Sequence, residues 1–211
     1  LVPLFSFLYL GGKCKYCHKK ISWHYPIIEM LTGLIFLFIF IVAAPDFELS
    51  IFYFLFSIFS FYIASSLIVI FVYDLKHYII PDKVLFPAII ITFLYQLILN
   101  PKSHILNPLL AALIASAFFL SIYLVSRGAW IGFGDVKLAI LLGLLLGFPS
   151  ILAGLFLAFF LGAIMGLALM LLGRKGLKSE IPFAPFLIGV TFLALFFGEE
   201  MINWYIHLFL F

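Results

Sequence analysis

Charge is scarce in this sequence. Asp, Glu, Lys and Arg make up 10% of its 211 residues, whereas 66% are hydrophobic and the mean hydropathy is +1.31. Soluble domains carry roughly 25% charged residues, so an ordinary soluble fold is excluded and a membrane protein is expected. No stretch alternates apolar and polar residues with period two, which excludes a membrane β-barrel. The apolar stretch Leu1 to Leu10 has no basic region before it and no small-residue cleavage site after it, so no cleavable signal peptide is expected. Leu1 is not Met, which admits a segment upstream. Cysteine is limited to Cys14 and Cys17, and no internal repeat is visible. The net charge of +3 is no nucleic-acid signal, because Lys and Arg are confined to breaks between apolar runs.

Those apolar runs are Ile27 to Ala44, Ile51 to Tyr73, Val84 to Leu99, Ile105 to Val125, Val136 to Phe148, Ile151 to Leu172 and Phe183 to Phe197, with an apolar tail to Phe211. A hydrocarbon core about 30 Å thick needs about 20 apolar residues per helical span, so the expected fold is an all-α polytopic bundle of about seven spans. Val136 to Phe148 is short and would borrow loop residues to cross. Orientation follows from the positive-inside rule. Lys13, Lys15, Lys19, Lys20, Lys76, Lys83, Arg127, Lys137, Arg174, Lys175 and Lys178 share one side, leaving only Lys102 opposite with Asp46, Glu48, Glu199 and Glu200. The basic side is the cytoplasm, which puts the N-terminus inside and the C-terminus outside. Residues 1–26 form a short cytoplasmic cysteine-containing loop, and residues 27–211 form the transmembrane domain.

Ionisable residues beside membrane spans are costly enough to count as functional candidates. Asp74 ends a long apolar run, in Tyr73-Asp74-Leu75-Lys76, and Asp82 follows Pro81 in the same loop. Asp135 lies in Gly132-Phe133-Gly134-Asp135-Val136-Lys137, another cytoplasmic turn. Its two glycines permit positive φ and close approach of another chain, and a helix starting there would set the carboxylate beside its positive end. The plain alternative is a helix cap, for which Asp is common, in a turn where Gly is common. Taken together, the two aspartates suggest more. Two neighbouring carboxyls share one proton, because ionising the second against the charge of the first costs energy. The ionised carboxylate then activates a water while the protonated one acts on a peptide carbonyl, and no metal or other cofactor is needed. Asp82 either caps the helix after Pro81 or tunes the charge of Asp74.

Other polar positions read less sharply. Cys14-x-x-Cys17 in a reducing compartment is not expected to be a structural disulfide, and its basic flanks favour thiolates able to bind zinc. Structural zinc takes four ligands, so the pair is half a site unless His18, His24 or an upstream pair contributes; otherwise the thiols are simply solvated. Glu29, entering the first span, needs a partner, for which Tyr25 and Lys20 are near in sequence. Gly154, Ala158, Gly162 and Gly166 recur every fourth position, as close helix packing requires. His104 and His207 fall on the outer side as interfacial or solvated residues.

The run Gly12-Lys13-Cys14-x-x-Cys17, Ile21-Ser22, Tyr25-Pro26 and Glu29-x-x-Thr32-Gly33 resembles the cytoplasmic zinc loop and following helix of bacterial type IV prepilin peptidases, which also serve type II secretion. Asp74-Leu75-Lys76 with Ile80-Pro81-Asp82 looks like that family's first catalytic segment, and Gly132-Phe133-Gly134-Asp135-Val136-Lys137-Leu138 like its second. Ile181-Pro182-Phe183-Ala184-Pro185-Phe186 resembles the motif before its last helix. These matches keep the family's order from Gly12 to about Phe197. The resemblance implies an intramembrane GxGD-type aspartic endopeptidase that removes the basic leader of prepilins or pseudopilins, cutting after a Gly just before an apolar helix. It sets Asp74 and Asp135 as the catalytic pair, supported by Asp82, Lys137, Gly132, Gly134 and Glu29, with Cys14 and Cys17 as metal ligands. It implies location in the bacterial inner membrane, with the active site at the cytoplasmic face. It also implies N-methylation of the new terminus by S-adenosylmethionine, in a region that includes Glu29. The family's additional N-terminal span and first Cys-x-x-Cys are missing from this sequence, so the methyltransferase match is the less complete. Losing that span from eight leaves the seven counted.

Presenilin and signal-peptide-peptidase types share the aspartate logic, but their Pro-Ala-Leu motif has only Phe183-Ala184-Pro185-Phe186 as counterpart here. The cysteine loop argues against an archaeal preflagellin peptidase. A proton-coupled transporter would want carboxylates near the midplane and an internal repeat.

Overall fold

The computed structural model describes residues 3–43, 51–99, 105–173 and 181–197. Asp46, Glu48, Lys102, His104, Arg174, Lys175, Lys178, Glu199, Glu200, His207 and the tail to Phe211, on which part of the topology reading rests, lie outside the described residues. Among the described residues the regular structure is helical, apart from one isolated bridge between Lys13 and Lys20. The helices are α1 (Pro3–Tyr9), α2 (His24–Ala43), α3 (Ile51–His77), α4 (Asp82–Leu99), α5 (Leu106–Ser126), α6 (Phe133–Leu146), α7 (Ser150–Leu171) and α8 (Ala184–Phe196).

Each of the seven apolar runs corresponds to a helix, but they differ in reach. Four stretches, His24–Ile41, Phe54–His77, Leu106–Ser126 and Ser150–Leu171, are long and apolar enough to cross a membrane. Helix α6 has 14 residues and α8 has 13. At 1.5 Å per residue these reach only about 20 Å, short of a core about 30 Å thick.

The chain divides into two compact units, Leu1–Ser65 and Ser66–Phe211. In the first, α1 packs on α2, and the loop between them is tightly folded. The Cys14 N–H donates to the Lys19 carbonyl at 2.9 Å, and the Ile21 N–H to the Gly12 carbonyl at 2.8 Å. Gly12 turns the chain at φ 72°, under the Phe7 ring. Phe7 in turn meets Trp23 edge-on, with ring centroids 5.0 Å apart. Further along, the Phe36 and Phe61 rings bring α2 and α3 together at 4.9 Å.

In the second unit α6 is central, packing against α4, α5, α7 and α8. It is apolar all round because it is enclosed all round: Val136, Leu138, Ala139, Leu141, Leu142 and Leu144 are buried. Helices α5 and α6 form the closest pair. A Cβ added to Gly143 would lie 2.3 Å from the Ala112 Cα, so only glycine lets the two backbones approach this far. One end of the pair is clasped by Asn107, which donates to the Phe148 carbonyl at 3.0 Å and accepts from the Phe148 N–H at 2.6 Å. At the other end the Tyr123 and Phe133 rings meet at 5.4 Å.

Helix α4 lies against α6 along Leu85, Ala88 and Thr92, all fully buried, and Gln96 donates to the Leu144 carbonyl at 2.8 Å. The expected close-packing stripe is on α7: Gly162 faces Phe183 and Phe186, while Gly166 faces Ile181.

Candidate active site

The last turns of α3 bury one stripe, Leu67, Ile70 and Asp74, at the spacing of a single helical face. Asp74 thus faces inward as its apolar predecessors do, with 5% of its surface exposed. The helix ends one turn later, where the Tyr78 N–H donates to the Asp74 carbonyl at 2.8 Å and Tyr78 takes φ 57°. That turn delivers Ile80, itself buried, to the start of α6.

Asp135 occupies the first turn of α6, as expected, and is 8% exposed. Its carboxylate accepts from the Gly132 N–H, while its own N–H donates to the Gly132 carbonyl at 3.1 Å. This reciprocal arrangement satisfies the free donors of a helix start as a capping box does. Asp135 and Asp74 lie close enough for their charges to act directly on one another. Spacing along the chain does not show that these two residues meet; both belong to the second unit, where the charge of Asp74 reaches Asp135.

The glycines work differently from the sequence expectation. Gly132 has φ −74° and ψ 150°, ordinary extended backbone, and Gly134 is helical, so neither uses positive φ. What Gly134 provides is space: an added Cβ would come within 3.2 Å of Ile80. Close approach, the second half of that expectation, is the part observed.

Two supporting residues also come together. Asp82, the first residue of α4, forms an ion pair with Lys137, two residues along α6 from Asp135. Asp74 itself is buried and faces the Ala184 N–H. The Lys137 ammonium also sits 5.6 Å from the Phe86 ring centroid and 5.7 Å from that of Phe133, within cation–π range.

Ala184 is the member of the site that sequence reading missed. It is the first residue of α8, fully buried, and its backbone N–H donates to the Asp74 carboxylate. Helix N-termini supply such free donors, and Pro185 at the next position has none to lose. The signal available was Phe183-Ala184-Pro185-Phe186, but a backbone contact leaves no residue-type signature. Asp74 is thereby held by α8, and Asp135 by its own helix start.

Cys14, Cys17 and Glu29 belong to the first unit. Cys14 is half-buried and Cys17 exposed. The Cys14 thiol is pushed below its ordinary range first by the backbone N–H of Cys17, then by that of Tyr16 and by the Cys17 side chain. The lowering comes from the loop's amides and the neighbouring thiol, whereas the sequence pointed to the flanking lysines. Among the described residues no group of three or more His, Cys, Asp or Glu could hold a metal, so neither His18 nor His24 completes a zinc site. Glu29 is exposed on α2 and forms no ion pair with Lys20.

Comparison with known proteins covers both aspartates. The pattern of the type IV leader peptidase family matches residues 61–167, and that of the bacterial peptidase A24 N-terminal domain matches residues 1–43. The chain is 32% identical to a prepilin leader peptidase/N-methyltransferase of Bacillus subtilis (strain 168), over 98% of this chain and 79% of that protein. Proteins of the same name from Legionella pneumophila and Aeromonas hydrophila are 31% and 27% identical, over 97% and 99% of this chain and 70% of each relative. No solved structure gives a significant match.

Proposed function

Because the chain belongs to the type IV leader peptidase family and is a peptidase, we propose that it is an intramembrane aspartic endopeptidase acting on type IV prepilins or type II secretion pseudopilins. It removes their basic leader after a Gly, at the cytoplasmic face of a bacterial inner membrane. The observation that carries this reading is the burial of Asp74 and Asp135 on separate helix ends, with their charges acting on each other.

In this mechanism the pair holds one proton between its carboxyls. The ionised member takes a proton from water as the oxygen attacks the scissile carbonyl carbon. The protonated member gives its proton to the carbonyl oxygen. Collapse of the tetrahedral intermediate breaks the C–N bond, and the leaving amine takes the proton that water supplied. The Ala184 N–H holds Asp74 and the Gly132 N–H holds Asp135, so neither carboxyl has to be ordered when substrate arrives.

Asp82 and Lys137 are positioning residues. Their ion pair ties the start of α4 to α6, which keeps Ile80 seated on Gly134 and the two aspartate-bearing segments in register. A substrate with a basic leader, a Gly and then an apolar helix presents its scissile bond at the membrane boundary, where helix ends rather than helix middles are found. The seven-span topology with the N-terminus inside and the C-terminus outside belongs to the same reading, since it sets both aspartates on the basic side. The relatives' name includes N-methyltransferase, and the same reading extends that activity to this chain as a second one, with S-adenosylmethionine as methyl donor and Glu29 in its region. Cys14 and Cys17 would supply two of the four ligands of a structural zinc, and the peptidase chemistry rests on the two carboxyls.

The test is incubation of the purified chain with a prepilin in detergent or vesicles, with the product's new N-terminus identified by mass spectrometry. The expected result is a single cut after the Gly that precedes the apolar segment. No cut, or cuts scattered through the leader, would defeat the assignment.

A further inference from the structure

The first 28 residues contain Lys13, Lys15, Lys19 and Lys20 and no Asp or Glu. All four lysines are exposed, on a loop made compact by the Lys13–Lys20 bridge and by the Cys14-to-Lys19 and Ile21-to-Gly12 hydrogen bonds. Large apolar side chains are exposed in the same segment: Phe5, Leu8 and Tyr9 on α1, Tyr16 in the loop, and Trp23 at the foot of α2. Tyr9 is 90% exposed and Tyr16 is 85% exposed, which is costly in water for rings of this size. Helix α2, which begins at His24, is long and apolar enough to enter a bilayer. The segment is therefore continuous with a membrane boundary.

We propose that the α1–loop segment docks on the anionic lipid headgroups of the leaflet that α2 enters. Tyr and Trp favour the headgroup region, where one edge of the ring is wet and the other apolar. Lysines just outside a span are drawn to anionic lipid, each adding to the attraction over a Debye length. Residues 1–28 hold no Asp or Glu, so within this segment no acidic side chain offsets that attraction. The basic leader assigned above to the substrate is excluded as occupant by like charge. An acidic protein would match the lysines but leave Phe5, Leu8 and the aromatic rings without an apolar partner.

The Cys14→Ser variant leaves Cys17, an exposed loop residue, as the only thiol in the chain. An environment-sensitive fluorophore on Cys17 reports the loop's position in the full-length protein reconstituted in vesicles. Vesicles of phosphatidylcholine with and without phosphatidylglycerol, each carrying headgroup-nitroxide lipid, are compared. Docking predicts quenching at least about threefold stronger with phosphatidylglycerol, lost in high salt. It is also lost when Lys13, Lys15, Lys19 and Lys20 are all changed to Gln, and kept when all four are changed to Arg. Equal strong quenching in both vesicles would mean that the fold alone holds the loop at the surface, and would overturn the proposal. Weak quenching in both would leave the loop facing water, as a site for an acidic protein would be, and would also overturn it.

Discussion

Helices α2 and α6 are both almost purely apolar, yet they meet different surroundings. Helix α2 has 20 residues, enough to cross a bilayer, and exposes Ile27, Leu31, Leu34, Leu37 and Ile41. Helix α6 has 14 and buries most of them against four other helices. Hydropathy cannot separate the two cases, because lipid and protein interior are equally apolar. The difference matters for function: the long helix with lipid-like exposure carries neither aspartate of the pair, whereas the short enclosed one carries Asp135. Enclosure surrounds α6 with protein rather than lipid, and it also holds a carboxyl in a fixed place.

The same substitution, Gly to a larger residue, can break or sharpen this contrast. The largest effect is expected for Gly143→Leu, whose side chain would have to occupy the Ala111–Ala112 backbone. Overpacking of this kind costs about 3 kcal/mol or more, so thermal unfolding in detergent should fall steeply and activity should vanish with it. A Gly143→Leu protein as stable as wild type would show that α5 and α6 are not packed backbone to backbone.

Next in size are Lys137→Gln and Asp82→Asn. The pair is partly exposed, so its loss should cost about 1 kcal/mol or less of stability. Misplacing the aspartate-bearing segments should cost roughly tenfold or more in kcat/KM. Lys137→Arg should recover most activity if the pair positions, and neither variant should lose activity if it does not.

Gly134→Ala should reduce cleavage several-fold, and the double change with Ile80→Ala should restore part of it, because the nearest contacts, at 3.2 Å, are with Ile80. A double variant no better than the single would place the role of Gly134 elsewhere.

The smallest effect is expected for Gly33→Ala on α2, where an added Cβ meets nothing within 4 Å. Helix propensity favours Ala over Gly by about 1 kcal/mol, so unfolding should be unchanged or slightly raised. A marked loss would mean that α2 is enclosed by something along that face.

Much of this arrangement was legible in the sequence. The scarcity of charge marked a membrane protein, and each apolar run became a helix. Asp74 and Asp135 stood out because a carboxylate beside an apolar run needs a reason. The α4 and α6 ends were also readable as a supporting set, although the partnership of Asp82 with Lys137 was not, since nothing in spacing relates residues on different helices. Three features left no trace. Gly143 looked like any glycine in an apolar run, because its necessity lies in the backbone of another helix. The hold of Ala184 on Asp74 is made by a backbone N–H, which every residue but proline has. The lowered pKa of the Cys14 thiol arises from how the loop turns its amides rather than from the neighbouring lysines.

The most direct test of the aspartate pair is the cleavage of a prepilin by wild type, Asp74→Asn and Asp135→Asn, each shown by thermal unfolding to be folded. Each change keeps the size of the side chain and removes the carboxyl, so shared-proton catalysis predicts that either one alone lowers kcat by about a hundredfold or more. Wild-type cleavage by either folded variant would contradict the pair and return that aspartate to a structural role.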